Sequence, residues 1–485
     1  MDGKYVCICL CGLLCFSLLD ADCPYKECQC FSTSISCMYL GLTALPVLNK
    51  TFTNFTSLSL DENHITTIPA GSLPSNLTDL SFIDNPLTTI DDTAFDGSKY
   101  TLQRLTLSNA RLTRIPDAFS HLRNLQEFHI IGVPIADWNV EAMKTVGSTL
   151  QTLYIERVPF TSSPNWLQYF SCLTEIDILS SLLKEIPDNA MDLLTNTITY
   201  INVYNNSITE VPKAISHITS LLSLYLSDNK ISNTTFLPPL SKLKLLSLDG
   251  NRIYNATQLS SSLRPYAESM MQFDISSNQL SSLPDLSFLT NVQGISFDDN
   301  KLSDSNSGAM PSNLYSLDLQ NNFLPRIPGI MANLQSITDL SLPKNYITMI
   351  QGTDFPPKTT YVELGFNHIT ELTENSFPQH SVIEYLSLNN NPISKISPSA
   401  FINLQQLSEL DLQSTHLTRM PVALSSLVNL FNLDFINIAS LVCSCTERSL
   451  QDWVKARGPQ VINGNCGQIS IYEFFTILSP GCPTD

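Results

Sequence analysis

Aliphatic residues recur along this chain in one short motif, L-x-x-L-x-L-x-x-N-x-L, in which most x positions are polar. The motif is clearest at residues 221–231, 314–324 and 383–393. Repeats start at residues 55, 77, 102, 125, 150, 173, 198, 221, 243, 270, 292, 314, 337, 359, 383, 407 and 430, in steps of 22 to 27 residues. A period in this range predicts a solenoid, here of about 17 coils.

The spacing of the motif also predicts how each coil packs. Within L-x-L, alternate residues point to opposite sides of a strand, so the leucines face inward and the x residues face outward. One coil cannot bury its own leucines, and neighbouring coils must therefore stack and share a core. The strand edge is narrower than the returning segment. The predicted fold class is an α/β repeat solenoid, a curved horseshoe with a parallel β-sheet on its concave side.

Asparagine occupies the ninth position of the motif in most coils. These residues are Asn63, Asn85, Asn206, Asn229, Asn251, Asn278, Asn300, Asn322, Asn345, Asn367 and Asn391. Its amide can donate and accept at a buried turn whose backbone groups would otherwise lack partners. Coils three to six carry Ala110, Val133, Val158 and Ser181 instead. We expect this stretch to differ in curvature or loop geometry, and we hypothesise that it shapes a ligand site.

Phenylalanines recur in one phase of the returning segment. Phe95, Phe119, Phe355, Phe377 and Phe401 lie 17 or 18 residues after the starts of their repeats. Residues in the same phase of neighbouring coils lie side by side in a solenoid. The pattern predicts a spine of stacked rings under the convex side.

Composition narrows the class of protein. Hydrophobic residues make up 43% of the chain and charged residues 14%, which excludes a disordered chain. The formal net charge of −18 argues against nucleic-acid binding. If charge steers an encounter, it favours a basic protein partner, although acidity can equally serve solubility.

The first residues indicate secretion. Lys4 precedes an apolar run at 6–19, and the small residue Ala21 offers a cleavage point, so residues 1–21 are interpreted as a signal peptide. The run is too short to span a bilayer comfortably, and no later stretch is apolar enough to do so. We expect a secreted, extracellular protein without stable membrane insertion. Glycosylation sequons lie at Asn49, Asn54, Asn76, Asn205, Asn233 and Asn255.

The cysteines lie mostly at the two ends. Of 13 cysteines, four fall in the signal segment, and four more lie near each end of the repeats: Cys23, Cys28, Cys30 and Cys37, then Cys443, Cys445, Cys466 and Cys482. This placement favours disulfides in an oxidising compartment. Structural zinc is disfavoured because only one residue separates Cys28 from Cys30 and Cys443 from Cys445. Cys172 is expected to be a small buried core residue rather than a reactive thiol.

With these caps the chain resembles the extracellular, typical-subtype leucine-rich repeat family, which includes Toll-like receptor ectodomains, Slit, small leucine-rich proteoglycans and variable lymphocyte receptors. The resemblance implies an N-terminal cap at 22–54, leucine-rich repeats at 55–440 and a C-terminal cap at 441–485. It also implies disulfide caps at both ends of the horseshoe. The pairings implied are Cys23–Cys30, Cys28–Cys37, Cys443–Cys466 and Cys445–Cys482; the residues alone allow three pairings in each cap.

Outward positions on the strands are the candidate ligand-binding residues. Repeats five to eight offer Tyr154, Glu156, Asp177, Tyr200, Asn202, Tyr204 and Tyr225. Tyr154, Asn202 and Tyr225 occupy equivalent sites and are expected to form one column. Tyrosine among polar groups is typical of binding hot spots, although aromatic residues also simply favour strands. Tyrosines are sparse on the other concave strands, which favours a ligand site here; a glycan on Asn205 could block part of it.

A second candidate surface is acidic. Asp249, Asp274, Asp298, Asp299 and Asp318 are expected to face outward, with Glu363, Asp411 and Asp434 further along. A column of carboxylates suits a basic ligand or weak Ca²⁺ binding, and a solvated face is an equal alternative.

No sequence motif points to catalysis. The chain lacks G-x-S-x-G, H-E-x-x-H and a phosphate loop, and five of its seven scattered histidines fall into two repeat phases. We expect no enzyme activity, no cofactor and no metal. The leading interpretation is a secreted protein-binding module with a recognition, adhesion or immune-type role. The alternatives are an extracellular matrix component, a secreted enzyme inhibitor and the ectodomain of a truncated receptor.

Overall fold

The computed structural model describes residues 23–162 and 164–478. The chain forms two compact units, which are described separately. Unit 1 comprises residues up to 208 together with 212–221, and unit 2 comprises 209–211 together with the residues from 222 onward. The interpreted signal peptide at 1–21 and Cys482 lie outside the described residues.

Unit 1 is built from short strands and one α-helix. Its strands are β1 (Gln29–Phe31), β2 (Ser34–Ser36), β3 (Ser57–Ser59), β4 (Thr67–Ile68), β5 (Asp79–Ile83), β6 (Thr89–Ile90), β7 (Arg104–Ser108), β8 (Glu127–Ile131), β9 (Thr152–Glu156), β10 (Glu175–Leu179) and β11 (Tyr200–Asn202), and its α-helix is α1 (Val140–Val146). Short 3-10 helices lie at Asp96–Ser98, Asp117–His121, Asn165–Tyr169, Asp192–Leu194 and Lys213–Ile215. β1 pairs antiparallel with β2, and β2, β3, β5, β7, β8, β9, β10 and β11 then pair in parallel.

Unit 2 repeats the same plan. Its strands are β12 (Ser223–Tyr225), β13 (Leu245–Ser247), β14 (Gln272–Asp274), β15 (Gly294–Ser296), β16 (Ser316–Asp318), β17 (Asp339–Ser341), β18 (Tyr361–Glu363), β19 (Glu371–Leu372), β20 (Tyr385–Ser387), β21 (Lys395–Ile396), β22 (Glu409–Asp411), β23 (Asn432–Asp434), β24 (Ile462–Asn463), β25 (Asn465–Cys466) and β26 (Ile469–Ser470). Helices are α2 (Ala256–Leu263), α3 (Gln451–Lys455) and α4 (Ile471–Glu473), with 3-10 turns at Arg264–Tyr266, Met331–Asn333, Gly352–Asp354, Val422–Ser426 and Cys445–Leu450 and a π turn at Phe474–Leu478. β12 to β18, β20 and β22 to β24 pair in parallel.

The aliphatic positions of the motif make the core. The central residue of each three-residue strand after β1 is buried, as at Leu224, Leu317 and Leu386, and its two neighbours are more exposed. Strands of successive coils pair one for one, so equivalent leucines stack within each unit. Each unit is therefore an α/β repeat solenoid with a parallel sheet, and the predicted fold class is confirmed. We call the side of the sheet opposite the core the open face; it carries the first and third strand residues, such as Tyr361 and Glu363.

The ladder asparagines satisfy the buried turns between coils. Asn251 is typical: its amide nitrogen donates to the carbonyls of Leu226 and Leu248, both at 3.0 Å, and of Asp249 at 3.1 Å. Its amide oxygen accepts from the backbone N–H of Ile231 at 2.9 Å. One side chain thus links two coils and satisfies groups that would cost free energy if buried unpaired.

The coils without asparagine have longer strands than those of unit 2. β7, β8, β9 and β10 contain five residues, whereas β12 and β13 contain three. The preceding strand β5 also contains five residues, although its coil keeps Asn85. Ala110, Val133 and Val158 are buried at the ladder position, and the Ser181 hydroxyl accepts from the Val158 N–H at 3.3 Å. The local geometry of this stretch therefore differs from that of unit 2 in strand length.

The residue before the ladder position turns the chain out of the strand. It has a positive φ in both units, for example 52° at Asn109, 65° at Gly250 and 51° at Asn321. Asparagine and glycine tolerate this left-handed conformation. Lys344 and Phe366 adopt it as well, each with φ 54°, although their side chains disfavour it. Stacking of the coils therefore imposes this turn regardless of local preference.

The phenylalanine spine is confirmed within each unit. The rings of Phe95 and Phe119 lie 5.8 Å apart between centroids. In unit 2, Phe377 lies 6.1 Å from Phe355 and 6.2 Å from Phe401. All five rings are buried.

Disulfides close the described ends of the repeats. Cys23 is bonded to Cys30, Cys28 to Cys37 and Cys443 to Cys466, the pairings that the family resemblance implied. Cys445 is also disulfide-bonded.

The expectation for Cys172 was wrong. Cys172 is a free cysteine and is exposed. The core positions beside it are filled by Phe170 and Leu173, which are both fully buried, so the intervening thiol points away from the core. Its sulfur lies 3.3 Å from the Ser148 carbonyl oxygen.

Candidate binding surface

The open face of unit 1 carries one continuous row of polar and aromatic side chains. Strand register places Ser59, Ser81, Thr106, His129, Tyr154, Asp177 and Asn202 side by side in that order. Three of the predicted ligand-binding residues therefore occupy adjacent strands. Tyr200 and Glu156 lie on the same face, one at the start of β11 and the other at the end of β9.

Tyr154 is the centre of one cluster on this row. Its ring lies 5.5 Å from the His129 ring, and its hydroxyl donates to the Glu156 carboxylate at 2.8 Å. Glu156 also forms an ion pair with Arg157. Burial and the adjacent Glu156 carboxylate raise the pKa of Tyr154 to about 12, so the hydroxyl remains a donor at neutral pH. The hydrogen bond to Glu156 and the contact with the His129 ring thereby hold the Tyr154 ring in place.

Asp177 and Asn202 form a second cluster beside the first. The Asn202 amide donates to Asp177 at 2.9 Å and lies 3.3 Å from the Tyr200 hydroxyl oxygen. Burial raises the pKa of Asp177, while its hydrogen bonds to Asn202 and Tyr200 oppose that rise. Tyr204 is 42% exposed just beyond β11, and the sequon residue Asn205 next to it is exposed as well. A glycan on Asn205 would border this cluster.

Glu156 lies in the stretch where the asparagine ladder is interrupted. It is the fifth residue of β9 and pairs in register with Ile131 and Leu179. A side chain in this phase also accepts from the third strand residue after the three-residue strand β13, where Asp249 accepts from Ser247. That the irregular stretch shapes a ligand site therefore stays a hypothesis.

Tyr225 belongs to the open face of unit 2. It is the last residue of β12, is half-buried and pairs in register with Ser247 of β13. The row continues through Asp274, Ser296, Asp318, Ser341, Glu363, Ser387, Asp411 and Asp434. From β13 to β22 serine alternates with a carboxylate.

The acidic patch is not the single column that was expected. Asp274 and Asp318 lie on this row with Ser296 between them, whereas Asp249 and Asp298 follow the ends of β13 and β15 and occupy a neighbouring row. Asp249 accepts a hydrogen bond from the Ser227 hydroxyl at 2.5 Å. Burial is the main cause that raises the pKa of Asp298 and of Asp318. Serine hydroxyls between the carboxylates separate the charges.

Tyrosines are not confined to the cluster identified in the sequence. Tyr361 and Tyr385 occupy the first positions of β18 and β20, and both lie on the open face of unit 2. Their rings are stacked, with centroids 4.3 Å apart and planes 7° from parallel. The expectation that tyrosines are sparse on the other concave strands does not hold for β18 and β20, where tyrosine fills the first strand position of two consecutive coils.

Part of the chain matches a model of a known protein family. A family model described as leucine rich repeat matches residues 75–132, 357–417 and 382–435. Coils of this type fill both units, and disulfides bond cysteines at both ends. The chain is a leucine-rich repeat protein.

Curated proteins are similar in sequence to part of this leucine-rich repeat protein. Keratocan of Bos taurus is 28% identical over 55% of this chain and 70% of its own length. Lumican of Coturnix japonica is 28% identical over 48% of this chain and 66% of its own length. The protein named transforming growth factor beta activator LRRC33 of Danio rerio is 24% identical over 68% of this chain and 51% of its own length.

Solved structures share its fold. A leucine-rich repeat protein of Leptospira interrogans is 20% identical, with a TM-score of 0.58, over 88% of this chain and 94% of its own. The plant peptide hormone receptor RGFR1, solved in complex with RGF2, is 21% identical, with a TM-score of 0.54, over 85% of this chain and 78% of its own. At this level of identity the likeness concerns the fold alone.

Three further predictions for this leucine-rich repeat protein concern glycosylation, metal binding and membrane insertion. The sequon residues Asn49, Asn54, Asn76, Asn205 and Asn255 are exposed, and Asn233 is half-buried. No group of three or more metal-binding side chains is found among the described residues. Within the same residues, no helix is long and apolar enough to cross a bilayer.

Proposed function

We propose that this leucine-rich repeat protein is a secreted, extracellular, non-enzymatic binding protein that recognises a macromolecular ligand through the open face of unit 1. The observation that carries the proposal is the row from His129 to Asn202. Aromatic and polar side chains on adjacent strands hold one another by a ring contact and hydrogen bonds. Such a preorganised surface binds with little loss of side-chain entropy.

Several observations support a protein as the ligand and the extracellular space as its location. Danio rerio LRRC33 is by its name an activator of a growth factor, which fits a protein partner. Disulfides persist in oxidising compartments, and exposed sequons suit a glycoprotein. The formal net charge of −18 disfavours nucleic acid.

The roles proposed for single residues follow from their positions. Tyr154 and Tyr204 would supply contact area, and Asp177 with Asn202 would supply hydrogen bonds that fix the orientation of the ligand. Glu156 would act as a positioning residue because it holds the Tyr154 hydroxyl. The acidic row of unit 2 would favour a ligand with a basic region.

The test pairs ligand identification with two matched variants. Affinity capture by the secreted chain, followed by mass spectrometry, supplies a purified partner. We expect Tyr154→Ala with Asn202→Ala to weaken its binding by about thirtyfold, because each residue makes part of a central contact. The control is Tyr100→Ala, since Tyr100 is 69% exposed and lies outside the strands.

Titration calorimetry distinguishes the outcomes. Loss of affinity in the double variant, with the Tyr100→Ala control unchanged, supports the open face of unit 1 as the binding surface. Equal affinity of the double variant and the parent chain for the partner would overturn the proposal. Circular dichroism of both variants verifies that they remain folded.

A further inference from the structure

Two stacked tyrosines lie at the middle of the most acidic strands of unit 2. Four residues lie side by side on consecutive paired strands of the open face, in the order Asp339, Tyr361, Tyr385 and Glu409. The tyrosines use one face each for their mutual contact, with ring centroids 4.3 Å apart. Their opposite faces are turned toward the strands that carry Asp339 and Glu409.

Carboxylates surround this pair, and each keeps acceptor capacity. Glu363 accepts from the Tyr361 hydroxyl at 2.6 Å, Asp339 from Thr338 at 2.5 Å and Glu409 from the Asn432 amide at 3.1 Å. Each of these hydrogen bonds uses one oxygen of the carboxylate. Among the described residues, no further hydrogen bond reaches the second oxygen of any of the three. We call Asp339, Tyr361, Glu363, Tyr385 and Glu409 the tyrosine–carboxylate site.

In the part of the chain that the structure describes, no lysine or arginine forms an ion pair at this site. On the open face of unit 1, Arg104 forms ion pairs with Asp79 and with Glu127, the latter at 3.7 Å. Within residues 23–162 and 164–478, no ion pair involves Asp339, Glu363 or Glu409. The strands β16, β17, β18, β20, β22 and β23 of the main sheet contain no lysine or arginine.

The chemistry of the site selects a particular cation. A guanidinium group is planar, so it can lie against a tyrosine face and donate to a carboxylate in two parallel hydrogen bonds. An ammonium group is a compact point charge that cannot do both. Burial, and after it the hydrogen bond to Glu363, raises the pKa of Tyr361, so the ring stays neutral and attractive to a cation.

We propose that the tyrosine–carboxylate site binds an arginine side chain in a basic segment of a protein partner. The inference rests on the proposed function, in that it names a second contact and the chemistry of the ligand that reaches it. The arginine stacks on an outer tyrosine face while its guanidinium donates to Glu363 and to Asp339 or Glu409. Charge complementarity along the serine–carboxylate row keeps the rest of the segment extended over the open face.

The test uses the full secreted chain and a labelled peptide of alternating arginine and glycine. Fluorescence anisotropy compares the parent chain with Tyr361→Leu/Tyr385→Leu, which removes both rings, and with Glu363→Gln/Glu409→Gln, which removes two charges at nearly constant side-chain volume. We expect each double variant to weaken peptide binding by about tenfold. A lysine and glycine peptide should bind the parent chain about threefold or more weakly than the arginine peptide.

Matched controls separate the site from general acidity. Tyr100→Leu/Tyr254→Leu removes two tyrosines that are 69% and 63% exposed elsewhere. Asp92→Asn/Glu268→Gln removes the same charge from exposed positions off the strands. Both controls should bind the arginine peptide within about twofold of the parent chain, because exposed distant charges are screened by salt.

Three results would overturn the inference. They are no binding of the arginine peptide by the parent chain, equal losses in the site and control charge variants, and unchanged binding by the tyrosine variant. None of these touches the proposed function, which is lost only if Tyr154→Ala/Asn202→Ala leaves binding of the captured partner unchanged. The unit 1 variant should retain the arginine peptide, so the two proposals fail separately.

Discussion

Replacing Phe119 with alanine is expected to lower the free energy of unfolding of unit 1 by about 3–5 kcal/mol. Phe119 is fully buried in the 3-10 helix at Asp117–His121. Its ring packs edge-on against Phe95 at 5.8 Å and against Phe128 at 5.3 Å. Truncation removes buried apolar area and leaves a cavity between two coils that the stack cannot close.

Denaturant unfolding followed by circular dichroism measures the loss. Phe119→Leu should lose less because leucine fills most of the same space. Tyr100→Ala, at a side chain 69% exposed, should change the free energy of unfolding by no more than about 0.5 kcal/mol. A loss below about 1 kcal/mol for Phe119→Ala would mean that the ring spine does not hold the coils together.

Replacing Asn345 with alanine is expected to destabilise unit 2 by about 2–4 kcal/mol. The Asn345 amide donates to the carbonyls of Leu319 at 2.9 Å and Leu342 at 3.2 Å and accepts from the Leu324 N–H at 3.0 Å. Its side chain is buried, so no bulk water replaces these bonds. The loss comes mainly from leaving the Leu324 N–H buried without a partner.

The variant Asn345→Val tests whether valine is tolerated at a ladder position that lies between three-residue strands. Val158 is tolerated after β9, a strand of five residues. Unit 2 has three-residue strands at β16 and β17, so Asn345→Val should be as costly as Asn345→Ala. Asn333→Ala, at an exposed site, is the control. Unfolding of Asn345→Val at the denaturant concentration of the parent chain would contradict the role assigned to the ladder.

The periodic pattern was sufficient to predict the coils because burial follows directly from it. Leu224, Leu317 and Leu386 are buried where L-x-L places them, and Phe377 stacks between its two neighbours. These features depend on the spacing of residues within one coil and on repetition between coils. Both are visible in the order of amino acids.

Other features depend on the stacking of coils and could not be predicted from the motif. The strand beside Val158 is longer than those of unit 2, since β9 contains five residues and β12 contains three. The left-handed turn at Phe366 is imposed by the neighbouring coils against the preference of the residue. The exposure of Cys172 follows from a competition in which Phe170 and Leu173 take the core positions.

The candidate surfaces were only partly accessible to sequence reasoning. Register shows that Tyr154, Asp177 and Asn202 are neighbours, and their hydrogen bonds make them one surface. The pair formed by Tyr361 and Tyr385 had a readable signal, since both residues occupy the first strand position of consecutive coils. Their stacking and the unpaired carboxylates beside them required the coordinates of side chains.

Hydroxyl-radical footprinting of the chain with its captured partner tests the central claim most directly, because it reports the side chains that the partner covers. We predict protection of His129, Tyr154 and Tyr204 on unit 1. Tyr100 and Tyr169, which lie outside the strands, should be oxidised as in the free chain. Protection of Tyr100 and Tyr169, with His129 and Tyr154 still oxidised, would contradict recognition through the open face.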